Sequence, residues 1–279
     1  MKFESLIERI VKELKAVEGV RAIALGGSRA RGTHTPSSDV DLGIYYQPDK
    51  PLDLAQLSRI ATSLDDTHRP DVVTPTGEWG PWINGGGWLK IQSYPVDFLY
   101  RDLEKVTAVI HDCLQGKVDI FYQPGHPFCF VSSMYLAEVA VCQPLWDPEG
   151  VLAALKKQID PYPASLQQAL IRKFAWEIDF SIETARKSID RADVTYAAGC
   201  CFRSVMCMLQ VLFALNKQHW LNEKGALALA DTFTTKPELL RPRVESAFQA
   251  LDAKPAPIEK AIHILEQLSA EVSMLIEGI

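Results

Sequence analysis

The stretch LGGSRARGTHTPSSDVDL, residues 25–42, decides the fold of this chain. The apolar run Arg21–Leu25 predicts a buried strand that enters a turn at Gly26-Gly27-Ser28, and the residues RARG predict a short helical turn after it. Val40–Tyr46 alternates and is rich in β-forming residues, so it predicts a second strand. The stretch therefore predicts a strand, a glycine turn, a short helix and a strand in succession.

Two features of this stretch indicate chemistry. Glycines let the backbone approach a ligand closely, and N–H groups at a helix start point at anions, which suits a triphosphate. Asp39 and Asp41 lie two apart on a strand, so their carboxylates share one face beside the Gly27-Ser28 turn. Two like charges this close need compensation, which a divalent cation with oxygen ligands supplies.

A third acid interrupts the apolar segment Val96–Tyr100. Asp97 is the one charged residue of Val-Asp-Phe-Leu-Tyr, and an acid in such a strand is rarely buried without a partner or a metal. We expect Asp97 to project from a neighbouring strand and to complete the site.

Further elements are predicted on both sides of this core. Apolar residues of 3–17 share one helix face, and helices are also expected at 52–64 and 102–114. Strands are expected at 71–74, 89–92 and 96–100, whereas the glycine-rich and tryptophan-rich segment 77–88 predicts an irregular loop or bulged hairpin.

The composition changes after residue 117. Residues 118–131 are rich in proline and aromatics and predict a connection, and nearly every later segment has helical periodicity. We predict an α+β protein: residues 1–125 form a mixed sheet with helices on one side, and residues 126–279 form an all-α bundle. Ligands favour domain junctions, so we expect a nucleotide to be held between the two.

Composition excludes several classes of protein. Apolar residues make up 47% and charged residues 23%, and the net charge is −6, from 29 basic and 35 acidic residues. That balance argues against a nucleic-acid partner, which needs a basic face. The run Val205–Leu215 is too short to span a bilayer, and the N-terminus lacks the features of a secretory signal. With six cysteines and no C-x-x-C pair, we expect reduced thiols in a cytoplasmic protein with no membrane partner.

The segments GGSRARG, SDVDL and VDFLY together resemble the nucleotidyltransferase superfamily that shares the DNA polymerase beta palm. Within it, the chain is similar to aminoglycoside adenylyltransferases and other small bacterial nucleotidyltransferases with a helical C-terminal domain. Residues 211–231, VLFALNKQHWLNEKGALALAD, resemble a segment of the streptomycin/spectinomycin-type enzymes in which a lysine reaches the nucleotide phosphates. Lys224 takes that position here.

The resemblance implies a role for each motif residue. Residues 1–125 would be the nucleotidyltransferase domain, and residues 126–279 would contact acceptor and nucleotide. Asp39, Asp41 and Asp97 would be catalytic and would bind one or two Mg²⁺ ions, with Asp97 sharing a metal or activating the acceptor hydroxyl. The nucleotide, ATP or another nucleoside triphosphate, would be held by Gly27, Ser28, Arg31, Ser38 and Lys224.

Several side chains keep two interpretations. Arg29 and Arg31 could clamp phosphate or serve packing, and Lys224 could be a solvated loop residue. Three acids of one helix could line an acceptor cleft or form a solvated face: Glu177, Asp179 and Glu183. The tryptophans of the glycine-rich loop could stack on a base or acceptor, or pack over the sheet edge: Trp79, Trp82 and Trp88.

The expected function is a metal-dependent transfer of a nucleoside monophosphate, AMP in the first instance, to a hydroxyl of a small molecule such as an antibiotic, with release of pyrophosphate. The alternative is an antitoxin-like or regulatory nucleotidyltransferase that acts on a protein partner. The acceptor, the preferred triphosphate and the oligomeric state lie beyond the sequence.

Overall fold

A computed structural model describes residues 3–278 of this 279-residue chain; residues 1, 2 and 279, at the ends of the two predicted domains, lie outside the described part. The described residues form eleven helices and seven strands. The strands are β1 Val20–Leu25, β2 Val40–Tyr46, β3 Gly86–Ile91, β4 Tyr94–Asp102, β5 Ile120–Phe121, β6 Phe130–Val131 and β7 Gln143–Trp146. The helices are α1 Phe3–Leu14, α2 Gly27–Arg31, α3 Leu54–Leu64, α4 Leu103–Leu114, α5 Ser133–Val141, α6 Val151–Ile159, α7 Ala164–Arg186, α8 Val194–Leu215, α9 Ala226–Ala230, α10 Leu240–Ala250 and α11 Pro255–Glu277.

The chain divides into two compact units that are not contiguous in sequence. The first holds the chain up to Cys113 together with Phe121–Gly125 and Phe130–Pro161, and the second holds Leu114–Ile120, His126–Cys129 and the chain from Tyr162 onward. The predicted division at residues 125/126 therefore differs from these units, because residues 130–161 group with the N-terminal sheet.

The first unit is built on a five-stranded mixed sheet in the order β3-β4-β2-β1-β7. Strands β2 and β4 are parallel, and the other neighbouring pairs are antiparallel. This sheet and the helices of the second unit confirm the predicted α+β class.

Side chains of the central strands β2 and β4 alternate between the two faces of the sheet. The even-numbered residues in 40–44 of β2 and in 96–100 of β4, such as Leu42 and Phe98, are fully buried in one core cluster with residues of α1 and α3. The odd-numbered residues lie on the opposite face. There Arg101 of β4 makes a bidentate ion pair of 2.7 and 2.8 Å with Glu138 of α5. Helices thus flank both faces, whereas the sequence predicted them on one side.

Three local predictions are corrected. Strand β7 lies in the part of the chain predicted to be all-α, where Pro144 indicates a break between helices. A proline is tolerated at a sheet edge, and β7 pairs there with β1. Residues 71–74 form no strand and contribute one isolated bridge, between Val73 and Gly87. Strand β3 begins at Gly86, inside the predicted loop. A side chain at Gly86 or Gly87 would meet the backbone of Phe98 or Val72 at 1.8 or 2.5 Å, so these two glycines allow the close approach of the neighbouring chain segments.

The second unit is a helical bundle in which α7 packs along α8 and α11 contacts both. Helix α8 spans 22 residues and is long and apolar enough to cross a membrane by composition. The apolar run 205–215 is the C-terminal half of this helix. Most of α8 is buried inside the unit, as in a core helix of a globular protein.

A buried carboxylate fixes the loop between α3 and β3. Asp65 is fully buried and accepts hydrogen bonds from Arg69 Nη2 at 2.8 Å, Thr67 Oγ1 at 2.8 Å and Lys90 N at 2.9 Å. The Arg69 guanidinium, opposed by burial and helped by the other donors, holds the pKa of Asp65 far below its usual range. Arg69 Nη2 also donates to Trp88 O at 2.9 Å, so this network fixes the backbone of the edge strand.

We predict that Asp65→Asn lowers the free energy of unfolding by about 1–3 kcal/mol at pH 7, because several donors lose their charged, buried acceptor. The folded-state pKa lies below the unfolded value of about 4, so this stabilisation is complete above pH ~4 and declines as the pH falls below it. Urea unfolding at pH 7 and pH 3 tests both points, with exposed Asp49→Asn as the control. Equal midpoints for wild type and Asp65→Asn at pH 7 would contradict the assignment.

Candidate active site

The turn between β1 and α2 brings a carboxylate against the backbone. Gly26 N donates to Asp41 O at 2.8 Å, which fixes the turn to β2. Gly27 has a φ of +59°, and a Cβ added there would lie 1.8 Å from Asp41 Oδ2. A side chain at position 27 is therefore excluded both by space and by backbone conformation.

Two of the predicted acids are neighbours across parallel strands. Asp41 and Asp97 are partners in the β2–β4 register, so their side chains leave the same face of the sheet. Asp39 lies two residues before Asp41, just ahead of β2, and all three acids are half-buried. The register thus brings Asp97 beside the motif from a distance of 56 residues.

The donor set of this face suits a hard divalent cation. Carboxylate oxygens are the ligands that Mg²⁺ takes, and it commonly uses one or two of them together with substrate phosphates instead of an all-protein cage. Within residues 3–278 no group of three or more His, Cys, Asp or Glu side chains converges as a metal site. Because Gly27 has no side chain, the Asp41 carboxylate lies directly against the backbone of the glycine turn.

Arg29 is the residue whose part the sequence left open. Its Nε donates to Asp39 O at 2.9 Å and its Nη2 to Ser38 O at 2.7 Å. Its guanidinium also lies 4.7 Å from the centre of the Phe3 ring. Arg29 therefore fixes the backbone that carries Asp39 through its Nε and Nη2 donors. No local sequence signal distinguishes this role from a phosphate clamp, because the carbonyls it binds lie nine and ten residues away.

The other predicted residues of the stretch lie beside this turn. Ser28 and Arg31 belong to α2, and burial lowers the pKa of the Arg31 guanidinium. Ser38 Oγ accepts from Thr35 N at 2.9 Å, so this hydroxyl closes the turn that precedes Asp39.

Lys224 lies in the second unit, exposed, two residues before α9. Its backbone N donates to Asn222 Oδ1 at 3.0 Å. The preceding Glu223 anchors the loop: Glu223 Oε1 accepts from Phe128 N at 3.0 Å, and Glu223 Oε2 lies 3.2 Å from His126 Nδ1. The lysine is thus carried by a loop fixed within its own unit.

The acids of α7 have structural partners. Glu177 is buried and pairs with Arg203 of α8, Asp179 accepts a hydrogen bond of 2.5 Å from Ser269, and Glu183 lies 3.4 Å from Arg186. These contacts favour the structural interpretation of all three acids.

The three tryptophans of the glycine-rich segment separate into two groups. Trp82 is buried among aromatic rings, and its ring centre lies 4.2 Å from that of Phe121 and 5.0 Å from that of Phe130. Trp79 and Trp88 stack on each other with ring centres 4.5 Å apart and an angle of 17°. Trp88 is 63% exposed, so an indole remains available at the sheet edge.

Comparison with known proteins gives two family matches. A model described as a nucleotidyltransferase domain matches residues 7–107, the region that contains Asp39, Asp41 and Asp97. A model described as a domain of unknown function, DUF4037, matches residues 128–224.

Two individual proteins are similar to this chain, one in sequence and one in structure. A protein named "Putative protein adenylyltransferase" from Methanocaldococcus jannaschii is 32% identical over 81 residues, which are 29% of this chain and 82% of that protein. A solved structure of a nucleotidyltransferase-like protein from Exiguobacterium sibiricum aligns with a TM-score of 0.44 at 14% identity, over 99% of this chain and 78% of that chain.

We predict that Gly27→Ala destabilises the protein by about 1–3 kcal/mol, because the new methyl group meets Asp41 and the left-handed backbone is strained. Gly26→Ala is the matched control, since a Cβ there would come no closer than 3.8 Å to Asp41. Thermal unfolding of both variants makes the comparison. In an Asp41→Ala background the cost of Gly27→Ala should fall, and a cost unchanged by that background would contradict the contact.

Proposed function

The chain belongs to the polymerase-beta-like nucleotidyltransferase superfamily, and we propose that it moves a nucleoside monophosphate, AMP in the first instance, from its triphosphate to a hydroxyl of a small molecule. The observation that carries the proposal is the contact of Asp41 with Gly27, with Asp97 in register beside it. This arrangement supports a bound triphosphate next to carboxylates that can hold cations. The chain is an enzyme of the nucleotidyltransferase class, and the finer assignment of substrates is our proposal.

The turn and α2 supply the phosphate contacts. Gly27 lets the backbone approach the phosphates closely, and the Ser28 hydroxyl donates to them. Arg31 and Ser38 lie on the two sides of the 32–37 loop and act with them. Arg29 holds the backbone of Ser38 and Asp39, so the acids keep their place when the nucleotide binds.

Asp39, Asp41 and Asp97 would hold one or two Mg²⁺ ions. When bound, the ions neutralise charge on the phosphates and favour displacement at phosphorus. Asp97 also takes the proton of the acceptor hydroxyl. The acceptor oxygen forms a bond to the α-phosphorus, the bond to the bridging oxygen breaks, and pyrophosphate leaves with the electron pair.

A protein acceptor is the second candidate. The archaeal relative carries the name of a putative protein adenylyltransferase. The nucleotidyltransferase family model matches the region that contains all three acids. A serine, threonine or tyrosine hydroxyl offers the same nucleophile as a small alcohol, so the chemistry at Asp97 is unchanged.

Label transfer distinguishes these candidates. The protein is incubated with magnesium and each α-labelled nucleoside triphosphate, then with aminoglycosides, lincosamides or the protein itself. Label on a small molecule supports the first candidate, label on protein supports the second, and the absence of nucleotide binding and of label in every arm would refute both.

We predict that Asp39→Asn and Asp41→Asn each lower transfer by about a hundredfold or more, because the site loses a carboxylate that holds a cation worth several kcal/mol. Asp97→Asn should also lose transfer but weaken magnesium–nucleotide binding less than Asp41→Asn does. Turnover and calorimetric titration are measured on each variant, with Asp49→Asn as control. Wild-type turnover in either of the first two variants at saturating magnesium would rule out the assignment.

We also predict that Lys224→Ala raises the nucleotide dissociation constant about ten- to a hundredfold, the value of one charge-assisted contact of ~1.5–3 kcal/mol. The control is Lys260→Ala, which removes an exposed lysine of α11 in the same unit. This variant loses the same charge and should leave the nucleotide affinity unchanged. Calorimetric titration of nucleotide decides, and wild-type affinity in Lys224→Ala would remove this residue from the site.

A further inference from the structure

The stacked pair Trp79–Trp88 is an aromatic surface that the proposed chemistry does not use. Trp88 stands on the edge strand β3 and exposes 63% of its surface, although a large indole gains most from burial. Its stacking on Trp79 at 4.5 Å covers one ring face only.

The pair is held in place by its surroundings. Gly86 makes room for Trp79, since a Cβ there would lie 2.9 Å from Trp79 Cζ3. The backbone of Trp88 is fixed by Arg69, whose guanidinium is itself held by buried Asp65. An exposed indole on a fixed backbone is pre-organised for a ligand, because little side-chain freedom remains to be lost on binding.

The sheet register places this indole relative to the acids. Trp88 is the partner of Asp97 on β3, and Asp97 is the partner of Asp41 on β2. Partners across neighbouring strands leave the same face. Along this row the glycine turn lies at the β1 end and the indole at the β3 end, with Asp97 between Asp41 and Trp88.

We propose that Trp88, backed by Trp79, is the platform on which the acceptor stacks, and that the acceptor therefore carries its hydroxyl on or next to a ring. The inference rests on the proposed function, which assigns the β1 end of the row to the triphosphate. A ligand on Trp88 then lies on the far side of Asp97 from the phosphates, where an attacking hydroxyl belongs. The ring face, aromatic or sugar, supplies the contact; a small molecule or a tyrosine side chain presents the same chemistry.

The test uses protein labelled with 5-fluorotryptophan, and the Trp88 resonance is assigned by its loss in Trp88→Phe. Protein saturated with magnesium and the α,β-methylene analogue of ATP is titrated with three probes. Tyrosinamide represents a tyrosine side chain, and 2-deoxystreptamine represents a hydroxylated small-molecule ring. Serinol carries hydroxyl groups but no ring. We expect both rings, or one of them, to shift the Trp88 resonance and serinol to leave it unchanged; the ring that binds identifies the source.

Substitutions of Trp88 distinguish stacking on the acceptor from stacking on the base of the nucleotide. Trp88→Ala should weaken ring-probe binding about tenfold or more, the usual effect of removing a stacking side chain, and leave nucleotide affinity within about twofold. Trp88→Phe should recover part of the loss, and Trp176→Ala, a 61% exposed tryptophan of α7, should change neither quantity.

Two results would overturn the inference. If no ring probe shifts Trp88, the platform has no ligand of this class. If the nucleotide analogue alone shifts Trp88 and Trp88→Ala loses nucleotide affinity, the indole stacks on the base. Failure of the proposed function is seen separately, as absent nucleotide binding by calorimetry in wild-type protein.

Discussion

The contact of the Asp41 carboxylate with the backbone of Gly27 is the constraint on which the rest of the site depends. With no Cβ at position 27, β2 can run close enough to the turn for Gly26 N to bond Asp41 O, and the same closeness sets where a phosphate can approach a carboxylate. The parallel register then carries Asp97 to Asp41, and Arg29 fixes the approach to Asp39. The absence of a side chain at Gly27 thus allows the close packing of the turn after β1 against β2, and β2 in turn aligns Asp41 with Asp97 of β4.

Much of this site could be predicted because its signals are local. A glycine pair, a strand of period two and an acid in an apolar run are readable within a few residues, and the structure brings Asp41 and Asp97 together as expected. Pairings over long distances were not readable. Strand β7 pairs with β1 across more than a hundred residues, and Asp65 gains Lys90 N as a donor only when β3 is in place. Arg29 could not be assigned because a guanidinium binds carbonyls and phosphates with similar geometry.

The second unit illustrates how little composition says about environment. Helix α8 is apolar enough to span a membrane, yet most of it is buried inside the helical unit. Two polar side chains of α8 bind α7: Ser204 Oγ donates to Ile178 O at 3.0 Å, and Arg203 pairs with buried Glu177. Such polar contacts tie α8 to α7 in one arrangement, which apolar packing alone would specify less strictly.

The edge position of β7 has a practical consequence for dissecting this protein. A fragment that ends at residue 125, where composition changes, would lack the strand that covers one side of β1. Strand β1 would then present its unpaired N–H and C=O groups and the apolar sequence VRAIAL to solvent, which is a template for strand-to-strand aggregation. A fragment that keeps the sheet closed at β1 must therefore run through Pro161, the end of the first unit, and not stop within the proline- and aromatic-rich segment 118–131.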